Sequence, residues 1–154
     1  AFYIANYPKI PASNAGLFIG NMRIASASTD ARSLLVKQFM EEGKAVTNDI
    51  LFDVNSDVIQ PSSYSIINQI GDAMKSNGNI GLKIIGYTDS DGSTDDNISL
   101  SKRRAESVKN YLKKNYSIAD FRIQTDGKGE SEPVASNDSE AGKAKNRRVE
   151  FIKL

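Results

Sequence analysis

The chain has 154 residues, 39% of them hydrophobic and 25% charged, enough to close one core of ordinary size within the usual single-domain range. Lys and Arg number 20 against 19 Asp and Glu, so a formal net charge of +1 supplies no global field of the kind that draws a protein onto nucleic acid. With no cysteine and no histidine, the chain can form no disulfide, no thiol centre, no His-dependent hydrolase triad and no His-containing zinc site.

Residues 1–43 read differently from the rest. Ala1 to Pro11 mixes aromatics with Pro and Asn, Gly16 to Ile24 suits a strand, and Leu34, Leu35, Phe39 and Met40 recur at helical spacing within Asp30 to Met40. The chain opens abruptly in an apolar segment without a start methionine, so it is expected to be a fragment or mature product of something longer. Its first residues lack the basic n-region and continuous apolar stretch of a secretory signal, and no apolar run approaches the roughly 18 to 20 residues needed to cross a bilayer.

From residue 44 onward apolar runs alternate with helical patterns. Ile50-Leu51-Phe52-Asp53-Val54 reads as a strand, broken by Asn55-Ser56-Asp57. Pro61 and two serines suit a helix start, and Tyr64, Ile66, Ile67, Ile70 and Met74 follow at helical spacing until Asn77-Gly78-Asn79. Leu82, Ile84 and Ile85 lie in a second strand between Gly81 and Gly86. Asp89 to Asp96 is polar enough to be a loop, and a second helix is expected from about Ser101 to Asn115, its stripe formed by Leu100, Ala105, Val108, Tyr111 and Leu112. Phe121 to Thr125 reads as a third strand and, after a loop rich in Gly, Ser, Asn and Asp, Arg148 to Ile152 as a fourth. This order, βαβαββ, predicts an α+β fold, a two-layer sandwich with a mixed sheet and both helices on one face.

Chemistry concentrates between the second strand and the second helix, in Thr88-Asp89-Ser90-Asp91-Gly92-Ser93-Thr94-Asp95-Asp96-Asn97-Ile98-Ser99-Leu100-Ser101-Lys102-Arg103-Arg104-Ala105. An EF-hand counted from Asp89 would need glycine at Thr94 and a bidentate glutamate at Leu100, so that reading fails; a looser cation site made of loop oxygens stays open. Glycoside cleavage by paired carboxylates lacks the desolvated pocket that would raise an acid's pKa. A third reading pairs acid with base. Asp89 ends a strand and Arg104 is expected about one turn into the helix, so the loop brings both to one rim. A ligand with an ammonium and a carboxylate on one carbon fits: Asp89 takes the ammonium, the Arg104 fork grips the carboxylate, and free N–H groups at the helix start reinforce the carboxylate end. On spacing alone, an internal Asp89–Arg104 salt bridge that pins the loop is an equal alternative. Arg103 lies about 100° around the helix from Arg104 and reads as a solvated flank residue; Asn97 reads first as a turn residue bonding nearby backbone.

Gly86-Tyr87-Thr88-Asp89, Gly92-Ser93, Asn97-Ile98-Ser99-Leu100-Ser101, Arg104-Ala105 and Val108 together resemble the OmpA-like (OmpA/MotB C-terminal) domain family. Phe52-Asp53 with Pro61-Ser62 upstream, and Gly127-Lys128-Gly129-Glu130, Pro133, Asn137 and Asn146-Arg147-Arg148-Val149-Glu150 downstream, extend the likeness over about residues 45 to 154. The resemblance implies a non-catalytic domain at 44–154 that binds peptidoglycan through the meso-diaminopimelate of its stem peptide, and anchors an outer-membrane protein or lipoprotein in the periplasm. A docking module without a wall ligand is the alternative. It implies no cofactor, metal or nucleic-acid partner, and an upstream membrane-anchored region of the same protein. Residues 1–43 fall outside the likeness and are read as the tail of an upstream β-rich domain. Asp89 and Arg104 fall on the family's main ligand residues, and Asp53, Thr88, Asn97 and Leu100 on positions lining the same pocket. Of Arg147 and Arg148, one is expected to buttress the pocket and the other to lie at the surface; Arg148 is included among the ligand-binding candidates. Tyr87 stands where the family usually has histidine, and the wording around Ile50 to Asp57 is similar to members from the Bacteroidetes.

Overall fold

The computed structural model describes residues 34–154. The strand expected over Gly16–Ile24, the start of the helix expected from Asp30 and most of the expected extension lie outside the described residues. Leu35–Leu154 forms one compact unit. It begins with a π-helical turn, Gln38–Glu42, whose Phe39 is wholly buried and whose end is turned by Gly43 at a φ of 77°. Leu35 and Met40 pack against the same core.

Strand β1, Lys44–Thr47, alternates outward and inward residues, with Ala45 and Thr47 buried. The strand expected at Ile50 to Val54 does not form. That segment makes a single antiparallel bridge, Phe52 to Ile59, and doubles back on itself, Asp53 N donating to Val58 O (3.0 Å) and Gln60 N to Leu51 O (2.9 Å). Asn55, at a φ of 52°, takes the left-handed conformation that lets the chain reverse. Ile50 and Ile59 still reach the core, while Val54 at the tip is exposed.

After a 3₁₀ turn at Pro61–Ser63, helix α1 (Tyr64–Ser76) buries Ile67, Ile70 and Met74, one turn apart along one face. Strand β2 (Leu82–Tyr87) is buried along almost its whole length. Helix α2 runs from Thr94 to Tyr116, starting about two turns earlier than the apolar stripe predicts. The reason is its cap: Ser93 Oγ accepts from Asp96 N (3.1 Å) and donates to Asp96 Oδ2 (2.7 Å), while Asp95 and Asp96 suit the positive end of the helix dipole. Strand β3 (Ile123–Gly129) pairs parallel with β2, and α2 is the crossover such a pair needs. A short helix α3 (Glu140–Asn146), capped by Ser139, fills what read as loop, and β4 (Val149–Lys153) closes the chain.

The sheet order is β1-β4-β2-β3, with β4 antiparallel to both β1 and β2. The α+β two-layer arrangement with a mixed sheet is therefore the observed one, with α3 added to the expected order. Ile84, Val108, Leu112 and Phe151 are wholly buried between the layers, each worth about 1.5–3 kcal/mol relative to exposure. Tyr64 and Tyr111 stack at 4.8 Å between α1 and α2, and Tyr111 Oη donates to Asn68 Oδ1 (2.8 Å). Gly86 and Gly127 let α2 settle directly on the sheet: a Cβ at Gly86 would strike the Ser101 carbonyl oxygen, and one at Gly127 the Lys102 backbone. That close seating brings Arg104, on the next turn, to the end of β2.

Candidate functional site

Thr88 and Asp89 follow directly on β2 and are both buried. Thr88 N donates to Gly129 O (2.8 Å) and its Oγ1 to Asp89 O (2.9 Å), which locks the backbone as it leaves the sheet. The Asp89 carboxylate is then aimed by two donors, Asp91 N at Oδ1 (2.9 Å) and Arg147 Nη1 at Oδ2 (2.6 Å). Asn97 bonds backbone, as its turn reading expects, through Nδ2 to Asp89 O (3.3 Å), and it also reaches Glu130 Oε2 (3.2 Å).

Arg104 is not the ion-pair partner of Asp89. It lies roughly three turns into α2 rather than one. Its Nε donates to Ser56 O (2.9 Å), in the turn at residues 51–60, and its guanidinium lies over the Phe52 ring at 4.9 Å. Among the described residues its two terminal nitrogens take no hydrogen-bond partner. Burial pulls its pKa below the ordinary arginine value; the charge of Asp89 opposes this and that of Arg147 adds to it. Arg104 remains a cation at neutral pH. The helix start cannot reinforce the same end of a ligand as expected, because it lies roughly 15 Å along the axis from Arg104 and Ser93 already caps it.

The run Asn146-Arg147-Arg148 divides three tasks. Asn146, 1% exposed, clamps the preceding loop, its Oδ1 accepting from Val134 N and Ala135 N and its Nδ2 donating to Ala135 O and Asn137 Oδ1. Arg147 turns to Asp89. Arg148 turns the other way into the protein: Nε pairs with Glu150 Oε1 (3.2 Å), Nη2 donates to Glu132 O (3.0 Å) and Nη1 to Asn146 O (3.5 Å). Its guanidinium covers the Tyr87 ring at 3.6 Å. All three of its guanidinium nitrogens are engaged, so Arg148 faces the protein interior while Arg147 is partly exposed. Extended-chain periodicity carries that signal, since Arg148, immediately before β4, and Glu150 within it are two apart and point to the same side.

Beneath the rim the network continues. Tyr87 Oη lies 3.3 Å from Glu150 Oε2 and 3.4 Å from Glu132 Oε2, and Lys44 Nζ pairs with Glu150 Oε2 (2.9 Å). Burial and then the charges of Glu150 and Glu132 push the Tyr87 phenol far above its ordinary pKa, so it stays a neutral donor. For Glu150 burial acts upward, but the hydrogen bond and charge of Lys44, with Arg148, outweigh it and hold the carboxyl below its usual range.

The remaining candidates fall around this core. Phe52, Tyr87, Arg104, Arg147 and Arg148 line one small cleft; Asn97 and Leu100 line another, more polar one with Asn55, Asp91, Asp96 and Arg103. Asp53 is exposed in the turn, its backbone N donating to Val58 O and its O accepting from Ser56 N (3.1 Å). Arg103 is exposed and donates to Ser99 Oγ (2.7 Å). Of the loop acids, Asp91 pairs with Lys143 (3.0 Å) and Asp96 caps α2. Among the described residues no cluster of three or more acidic side chains is arranged to hold a metal ion. Sequence reasoning missed Ser56, Phe52 and Asn48; Asn48 Nδ2 donates to the carbonyls of Ala144, Lys145 and Arg147, a cap formed across 96 or more residues that no local pattern announces.

A profile of the family described as OmpA family matches residues 51–147. Outer membrane porin F of Pseudomonas fluorescens is 43% identical over 102 residues, 66% of this chain and 31% of the relative. Peptidoglycan-binding protein ArfA of Mycobacterium tuberculosis (strain H37Rv) is 42% identical over 92 residues, 60% of this chain and 28% of the relative. The match thus spans less than a third of either relative's length. Among solved structures, the peptidoglycan-associated lipoprotein from Burkholderia pseudomallei is similar at a TM-score of 0.63 and 28% identity, covering 68% of this chain and 88% of that one.

Proposed function

The chain belongs to the OmpA family, and from that premise we propose that its domain binds peptidoglycan non-covalently, through the meso-diaminopimelate of the stem peptide. The domain is a binding module, not an enzyme. The observation that carries the ligand reading is the state of Arg104. Its Nε and its guanidinium face are held by Ser56 and Phe52, while among the described residues neither terminal nitrogen takes a hydrogen-bond partner and the charge of the buried Asp89 carboxylate acts on it. A fork held at its base but open at its tips suits two-point capture of a carboxylate, and Asp89 suits the neighbouring ammonium.

In this reading Thr88, Asn97, Leu100 and Asp53 shape the surroundings, Arg147 sits at the ammonium end, and Arg148 supports from beneath. The protein works in the periplasm next to the outer membrane, tying an upstream membrane-anchored region of the same protein to the wall. Single-site affinity need only be modest, because a polymer of repeated stems supplies a high effective concentration.

Sedimentation with purified peptidoglycan tests this. Wild type should co-sediment, Asp89→Ala and Arg104→Ala should stay in solution while keeping native circular dichroism, and free diaminopimelate should compete. Failure of the wild type to bind would favour a protein-docking module instead. Binding that survives both substitutions would remove the diaminopimelate assignment while keeping the wall.

A further inference from the structure

We infer that Arg147 sets the selectivity of the Asp89 site for a zwitterion over a simple amine. The inference rests on the ligand reading above and extends it to a residue outside the Asp89–Arg104 pair. Arg147 Nη1 stands 2.6 Å from Asp89 Oδ2, so the carboxylate that would take an ammonium already carries a cation. The Arg147 side chain is 43% exposed and that of Asp89 only 11%, which puts the guanidinium on the solvent side, where a ligand must arrive.

The backbone of Arg147 is held separately from its side chain. The Asn48 amide donates to Ala144 O (3.0 Å), Lys145 O (2.9 Å) and Arg147 O (2.8 Å), so the guanidinium can shift while its Cα stays in place. A second acid stands near, Glu140 Oε2 at 3.9 Å from Nη2, to receive it.

The charges decide what this arrangement admits. Asp89 is paired with Arg147, and both Asp89 and Arg147 act on Arg104 electrostatically, as do Asp57 and Arg103 with smaller effect. Asp91, two residues from Asp89, is paired with Lys143. A bare ammonium adds a third positive charge and gains a share in one carboxylate. A ligand with ammonium and carboxylate on one carbon adds no net charge, and its carboxylate answers both Arg104 and Arg147. Arg147 therefore penalises every cation that lacks a carboxylate, which is selection by repulsion as well as attraction.

The test titrates the chain, followed by NMR, with meso-diaminopimelate and with 1,5-diaminopentane, the same skeleton without its two carboxylates. Wild type should prefer the first by about a hundredfold. Arg147→Gln should narrow that ratio by about tenfold, weakening diaminopimelate and strengthening the diamine, while Arg147→Lys, which keeps the charge, should retain most of it. An unchanged ratio in Arg147→Gln, or equal tightening of both ligands, overturns the inference, the latter because Arg147 would then be a mere competitor for Asp89. Wild type that binds neither compound overturns the ligand reading itself, a result read before any Arg147 variant is made.

Discussion

Arg147 and Arg148 are neighbours in sequence and opposites in use. Arg148 lies in a buried network, its side chain 4% exposed, with Glu150, the Glu132 and Asn146 carbonyls and the Tyr87 ring engaging all three of its nitrogens and its face. At the rim, the Arg147 side chain is 43% exposed, and the two terminal nitrogens of Arg104 take no hydrogen-bond partner among the described residues. A saturated guanidinium stabilises the fold and has nothing to offer a ligand; an unsaturated one, held only at its base, is available. The contrast predicts that substitutions in the buried network will cost stability, and substitutions at the rim will cost binding.

The largest effect should come from Arg148→Ala, which leaves the buried Glu150 carboxylate with Lys44 as its remaining cation and uncovers Tyr87. Breaking a buried pair by removing one partner costs about 3–5 kcal/mol. The urea midpoint should fall accordingly with an unchanged slope, and a loss below about 1 kcal/mol would show that the network is not the support described here. The same network predicts a pH dependence. Because the folded state holds Glu150 below the ordinary glutamate pKa, its contribution is present above that ordinary range and is lost as pH falls through the depressed folded value. Denaturant melts across the acid range should show this loss in wild type and a flatter profile in Glu150→Gln.

How far these regions were legible in the sequence follows from how local their causes are. β2, α1 and the body of α2 are written in apolar periodicity. β1 escaped because Lys44-Ala45-Val46-Thr47 offers one β-branched apolar residue, while Ile50-Leu51-Phe52 offers three apolar side chains in a row to a strand that Asn55 reverses. The start of α2 escaped because acids that read as loop are favourable in a first helical turn once Ser93 caps it. α3 has no apolar stripe at all. The choice between an Asp89–Arg104 bridge and two separately held groups was beyond spacing, since it turns on Ser56 and Phe52, some fifty residues from Arg104, and on Arg147.

At the rim, Arg104→Lys separates charge from geometry. Lysine keeps the positive charge but brings no planar fork and no second terminal nitrogen, and it gives up the bond from Nε to Ser56 O. Affinity for diaminopimelate, measured by isothermal titration, should fall about tenfold, roughly 1.4 kcal/mol. The urea midpoint should move far less than in Arg148→Ala. A stability loss comparable to that of Arg148→Ala would erase the distinction between the two regions.

The smallest effect is expected one residue away. Arg103 is exposed, about 100° around α2 from Arg104, and its Nη1 bonds the hydroxyl of Ser99 on the preceding turn. A bond of that kind between two solvated side chains competes directly with water, and a surface charge contributes within about 1 kcal/mol of nothing. Arg103→Ala should therefore leave both the urea midpoint and the diaminopimelate affinity within a factor of about two of wild type. Because Arg103 carries the same charge as Arg104 on the same helix, this substitution is the control for net charge. If it weakened binding as much as Arg104→Lys does, the site would be a diffuse positive surface, and the free fork of Arg104 would not explain what the rim selects.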